Sequence, residues 1–89
     1  MLVDLPRTPT DQAAVTRWLR GWPKSTQELL YVRAIDVARR FGMPTETGVD
    51  GAFLTWTYKS DQTLEDHPEM LVLHMHRNLI VQVKAMDLR

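Results

Sequence analysis

The side chains best equipped for chemistry are three histidines, His67, His74 and His76. His74 and His76 form an H-x-H pair, a spacing that chelates a metal ion when both rings leave one face of a strand. Asp61, Glu65, Asp66 and Glu69 supply carboxylates nearby. No cysteine accompanies them, which excludes disulfides and thiolate zinc sites. Nucleophilic chemistry needs an oriented constellation, and the two serines offer none. Ser25 falls in an S-x-x-E capping pattern with Glu28, and Ser60 opens a loop with no histidine at a fixed spacing. The four glycines are dispersed as helix stops and loop hinges, not gathered into a phosphate loop. The pattern points away from an enzyme, and no metal, cofactor or small-molecule substrate is expected. The histidines read as surface residues.

Charge gives the next candidate. Eleven basic and eleven acidic residues cancel, which argues against broad nucleic-acid binding. The halves differ: residues 1–44 hold seven basic and four acidic residues, and residues 45–89 hold four and seven. Arg17, Arg20, Lys24, Arg33, Arg39 and Arg40 therefore define an alternative surface, a basic helical face for DNA or RNA.

The elements that position these residues follow from hydropathy periods and breakers. The chain has 89 residues, 44% hydrophobic and 25% charged, enough for one domain over residues 1–89. Residues 1–7 read as an arm. Residues 8–42 read as a helical hairpin, with Thr8 as the first N-cap and Pro9 at the first helical position. Val15, Trp18, Leu19 and Trp22 form the inner stripe of the first helix, and Gly21 supplies a left-handed stop before Pro23. A second helix of about sixteen residues is expected from Ser25 to Phe41, with Leu30, Ala34, Val37, Ala38 and Phe41 inward, Tyr31 and Ile35 beside them, and Gly42-Met43-Pro44 as its stop. Asp36 and Arg40 have the spacing of a surface pair.

Residues 45–51 read as a polar connection and 52–86 as a sheet. Ala52, Leu54, Trp56 and Tyr58 alternate with Phe53, Thr55, Thr57 and Lys59. An acidic loop, residues 60–69, leads to the final hairpin. A three-residue loop, His76-Arg77-Asn78, pairs Met75 with Leu79, Leu73 with Val81 and Leu71 with Val83 on one apolar face. The expected architecture is an α+β two-layer sandwich of order α-α-β-β-β, a helical hairpin on a three-stranded antiparallel sheet.

The helix ending in Phe41-Gly42-Met43-Pro44, the strand with Trp56-Thr57-Tyr58 and the hairpin Leu71-Val72-Leu73 … Asn78-Leu79-Ile80-Val81 together resemble the SmpA/OmlA family and the related repeats of β-lactamase inhibitor proteins. The resemblance spans roughly residues 41–85. It implies a two-helix, three-strand sandwich that acts by binding other proteins. The chain departs from the family in having neither a signal peptide nor a lipid-bearing cysteine, so the resemblance does not carry the outer membrane with it.

In that register Phe53, Met70, Val72, His74, Ile80, Gln82 and Lys84 share the outer face of the sheet. Four sizeable apolar residues there exceed what a solvated face needs, and mark a surface for a protein partner or a second copy of the chain. The expected function is a non-enzymatic protein-binding module, an inhibitor or adaptor; phage-encoded inhibitors of host defence are of this size. The alternative is a nucleic-acid-associated regulator using the basic helical residues. No segment has the run of about 18 apolar residues that spans a membrane, and the absence of cysteine fits a cytoplasmic setting.

Overall fold

A computed structural model describes residues 9–61 and 67–87. The arm over residues 1–7, the Thr8 cap and most of the acidic loop lie outside them. The first helix, α1, runs Gln12–Arg20, with Asp11 as its N-cap and Pro9 ahead of it. The Asp11 carboxylate accepts the Ala14 N–H at 3.1 Å, satisfying one of the first-turn donors. Val15, Trp18 and Leu19 face the core as their spacing predicts. Gly21 ends the helix in an ordinary right-handed conformation (φ −88°), not the left-handed one expected.

The second helix is not continuous. Lys24–Glu28 forms a short 3-10 segment, Tyr31 turns left-handed (φ 63°), and α2 spans only Ala34–Phe41. A long-range competitor breaks it. The Tyr31 N–H donates to the Ile80 carbonyl at 2.7 Å, the Ile80 N–H to Val32 at 2.9 Å, and the Ala34 N–H to Asn78 at 2.7 Å. Residues 31–34 thus satisfy groups on an otherwise open strand edge. The predicted capping box fails with the helix it was to start, and the Ser25 hydroxyl is buried without a hydrogen-bond partner among the described residues. Asp36 pairs with Arg33 and Arg39, while Arg40 pairs with Glu28 instead of Asp36. Further along, Ala34, Val37, Ala38 and Phe41 are buried as expected. Gly42 stops α2 with φ 75°.

The sheet has four antiparallel strands in sequential order, one more than predicted: β1 Glu46–Asp50, β2 Phe53–Lys59, β3 Met70–His76 and β4 Leu79–Met86. The supposed polar connection is mostly β1. It pairs with β2 from Glu46↔Thr57 to Asp50↔Phe53, and Gly51 (φ 61°) and Ala52 make the turn. All five β1 residues are exposed, so no alternation of hydropathy announced the strand.

The last hairpin has a two-residue turn, Arg77-Asn78, with His76 opposite Leu79. Both turn residues have positive φ, 52° and 68°, the twist-matched geometry of two-residue hairpins. The pairing then shifts between His74 and Met75. Met75 faces Ile80 and His74 faces Gln82, which leaves Val81 as the extra residue of a bulge. The two-residue turn thus moves Ile80 from the outer face to the core, where it is fully buried, and leaves Leu79 exposed, while the bulge sets Val83 opposite Leu73.

The helices cover one face of the sheet. Trp56, Tyr58, Leu71, Leu73, Met75, Ile80 and Val83 meet Val15, Trp18, Leu19, Leu29, Val37 and Phe41 in one core. The Tyr58 hydroxyl donates to the Gly42 carbonyl at 2.9 Å, and its ring packs on Phe41. Thr16 fastens α1 to the loop after β2 by donating to the Asp61 carboxylate at 2.7 Å. Among the described residues no helix is long and apolar enough to cross a membrane.

Candidate functional site

The predicted partner surface divides. Phe53, Met70, Val72, Gln82 and Lys84 remain on the sheet face away from the helices, as the pairing register requires. Ile80 leaves the set for the core, for the reason given above. His74 stays on that face but is 5% exposed, not the surface residue expected. Its Nε2 lies 3.1 Å from the Asp50 carboxylate. The Phe53 ring stands edge-on to both His74 and His76, at 6.2 Å from each. The outer face is therefore a capped histidine cluster at one end and open at the other.

The apolar exposure that the sequence reading missed lies at the β1–β2 hairpin. Cross-strand neighbours form a row on the core side of the sheet: Val49 opposite Leu54, Leu54 opposite Met75, Met75 opposite Ile80. Met75 and Ile80 are buried beneath the helices, whereas Val49 and Leu54 are 72% and 53% exposed. The helices are short, nine and eight residues, and α1 lies over β2 and β3. The core face of the sheet thus continues past its cover. Beside this row β1 has no strand on its outer side among the described residues. Gly51 next to Asp50 was the available signal, since such pairs mark hairpin turns.

The basic residues do not form one face. Arg33 and Arg39 both contact Asp36. Arg40 reaches Glu28 at 3.0 Å and lies over the Phe41 ring. Arg17 and Arg20 occupy the last turn of α1, with Lys24 following, all exposed. The structure does bring Arg17 and Arg40 together, across a cleft of about 450 Å³ between α1, the 3-10 segment and α2. A smaller cleft, about 170 Å³, lies between Arg17, Arg20, Thr16 and Asp61. No group of three or more histidine, aspartate or glutamate side chains gathers as a metal site among the described residues.

Comparison with protein-family models, curated proteins and solved structures found no match to this chain.

Proposed function

We propose that this chain is a protein-binding module, an inhibitor or adaptor, that takes an extended segment of a partner along β1. The observation that carries the reading is the Val49–Leu54 pair, an exposed continuation of a row whose other members are core. A strand added to β1 extends the sheet by main-chain hydrogen bonds and sets its own apolar side chains beside Val49. Exposed strand edges next to apolar surface are what soluble chains ordinarily avoid or blunt, and β1 carries a glycine at its centre in place of a blocking lysine or proline. A second copy fits less well. Antiparallel pairing of two β1 strands about Gly48 sets Glu46 of one against Asp50 of the other, a like-charge juxtaposition. The resemblance to SmpA/OmlA and β-lactamase inhibitor proteins, which bind other proteins, points the same way.

The test is site-specific. A photoreactive residue at Thr47 should crosslink a partner from native lysate, and one at Arg39 should not. Val49→Lys with Leu54→Lys, both at exposed positions, should abolish that crosslink while shifting Tm by no more than about 3 °C. Undiminished capture by the double variant, or crosslinking through Arg39 alone, would overturn the reading.

A further inference from the structure

The edge of β1 carries a charge pattern as well as an apolar one, and the pairing register separates the two. Thr47 lies on the core side, at the end of a row that continues through Trp56, Leu73 and Val83. Val49 ends the parallel row through Leu54, Met75 and Ile80. Glu46, Gly48 and Asp50 lie on the outer side. Glu46 Oε1 accepts from Lys59 at 2.8 Å, and an Asp50 oxygen meets the His74 ring. Both acidic side chains nonetheless remain mostly in solvent, 61% and 71% exposed, so each can take a further cation. Between them Gly48 has no side chain to hold a neighbouring backbone away. The Gly51-Ala52 turn closes on the pair Asp50–Phe53. In such a hairpin the closing pair exchanges both hydrogen bonds, so Glu46, Gly48 and Asp50 bond to β2. Thr47 and Val49 then turn N–H and C=O towards the edge.

We infer that the segment received by β1 is a basic amphipathic strand: lysine or arginine at two positions four apart, apolar residues at the second and fourth places, and an unrestricted centre. The inference rests on the strand-addition reading and adds the partner's chemistry to it. A strand centred on Gly48, in either direction, sets its end residues beside Glu46 and Asp50 and its apolar residues beside Thr47 and Val49. The two carboxylates that oppose a second β1 thus favour a basic occupant.

The probes are two end-blocked pentapeptides, Lys-Val-Thr-Val-Lys and Glu-Val-Thr-Val-Glu, each titrated into the uniformly ¹⁵N-labelled full chain. The Thr47 and Val49 amide signals should move saturably with the lysine peptide, with Kd on the order of 1 mM or below. The glutamate peptide should bind at least about fivefold more weakly. Glu46→Gln with Asp50→Asn, both at exposed positions, should bring the two peptides within about twofold of each other. Equal binding of both peptides to the unaltered chain, or tighter binding of the glutamate peptide, would overturn the basic assignment and leave strand addition standing. A preference that persists in the double variant would overturn it too, by placing its source away from Glu46 and Asp50. Thr47 and Val49 signals that move with neither peptide would overturn strand addition and this inference together.

Discussion

His74 and Asp50 stand on strands that do not pair with each other, yet the His74 Nε2 lies 3.1 Å from an Asp50 oxygen across the intervening β2. The contact joins a buried ring to an exposed carboxylate and fastens the tip of the β1–β2 hairpin to the middle of the sheet. The other ring nitrogen, Nδ1, is buried without a hydrogen-bond partner, so this is the imidazole's one hydrogen bond among the described residues. Asp50→Ala should cost about 1 kcal/mol in urea unfolding, and Asp50→Asn, which keeps an acceptor, less than half of that. Equal stability of all three chains would show that the contact holds nothing.

The turn makes a separate claim. Arg77 sits at φ 52°, where a side chain with a Cβ is disfavoured. Arg77→Gly should therefore stabilise the chain by about 0.5–1 kcal/mol, measured as a rise in the urea midpoint. A three-residue loop would place Arg77 in a right-handed conformation and make the same substitution destabilising.

The two-residue turn sends Ile80 to the core and leaves Val72 on the outer face. Ile80→Lys buries a charge in the core and should leave the chain unfolded by circular dichroism. Val72→Glu, on the half-buried outer face, should keep the fold at a cost of about 1 kcal/mol. Tolerance of Ile80→Lys would restore the three-residue loop, in which Ile80 faces outward.

What the sequence made legible follows from where one physical signal dominates. Trp56 and Tyr58 are large, alternate with polar residues and are covered, so β2 was readable from its period alone. β1 is exposed on both faces, so the same period carries no hydropathy contrast there. The run Leu29-Leu30-Tyr31-Val32 keeps a helix-compatible pattern, and only its hydrogen bonds to Asn78 and Ile80, nearly fifty residues away, break the helix. Ile80 and Val81 are both β-branched and apolar, so nothing local says which one the bulge displaces. The cleft was hidden for the same reason as the helix break. Ser25 read as a cap until the helix it would cap was seen to start at Ala34.

Gly42 has two independent reasons to be glycine. Its φ is 75°, and a Cβ there would meet the Pro9 carbonyl oxygen at 2.1 Å. The Pro9–Thr10 backbone cannot easily retreat, because the Asp11 N–H donates to the Phe41 carbonyl at 2.7 Å and Thr10 Oγ1 donates to the Met43 carbonyl. Gly42→Ala should cost about 3 kcal/mol or more, well beyond the ~1 kcal/mol of a left-handed position alone. A melt lowered by only a few degrees would mean that the α1 start is not packed on the α2 stop.

The Tyr58 hydroxyl sits where those two elements meet, donating to the Gly42 carbonyl. Burial pushes its pKa well above the ordinary tyrosine value. The native chain therefore keeps this proton at alkaline pH, where the unfolded chain, titrating near pH 10, gives it up. Above that pH the unfolded state binds fewer protons than the native one, so stability falls as pH rises. The contribution is fully present below about pH 10 and is lost progressively towards the folded value. Tyr58→Phe removes both the hydrogen bond and the titration. At pH 7 it should cost about 1 kcal/mol. By pH 11 the wild-type advantage should have shrunk by about 1.4 kcal/mol, because only the wild-type unfolded state gains from ionisation. Urea unfolding of both chains at pH 7, 9, 10 and 11 tests this. Parallel stability curves would place the Tyr58 hydroxyl in water, not against Gly42.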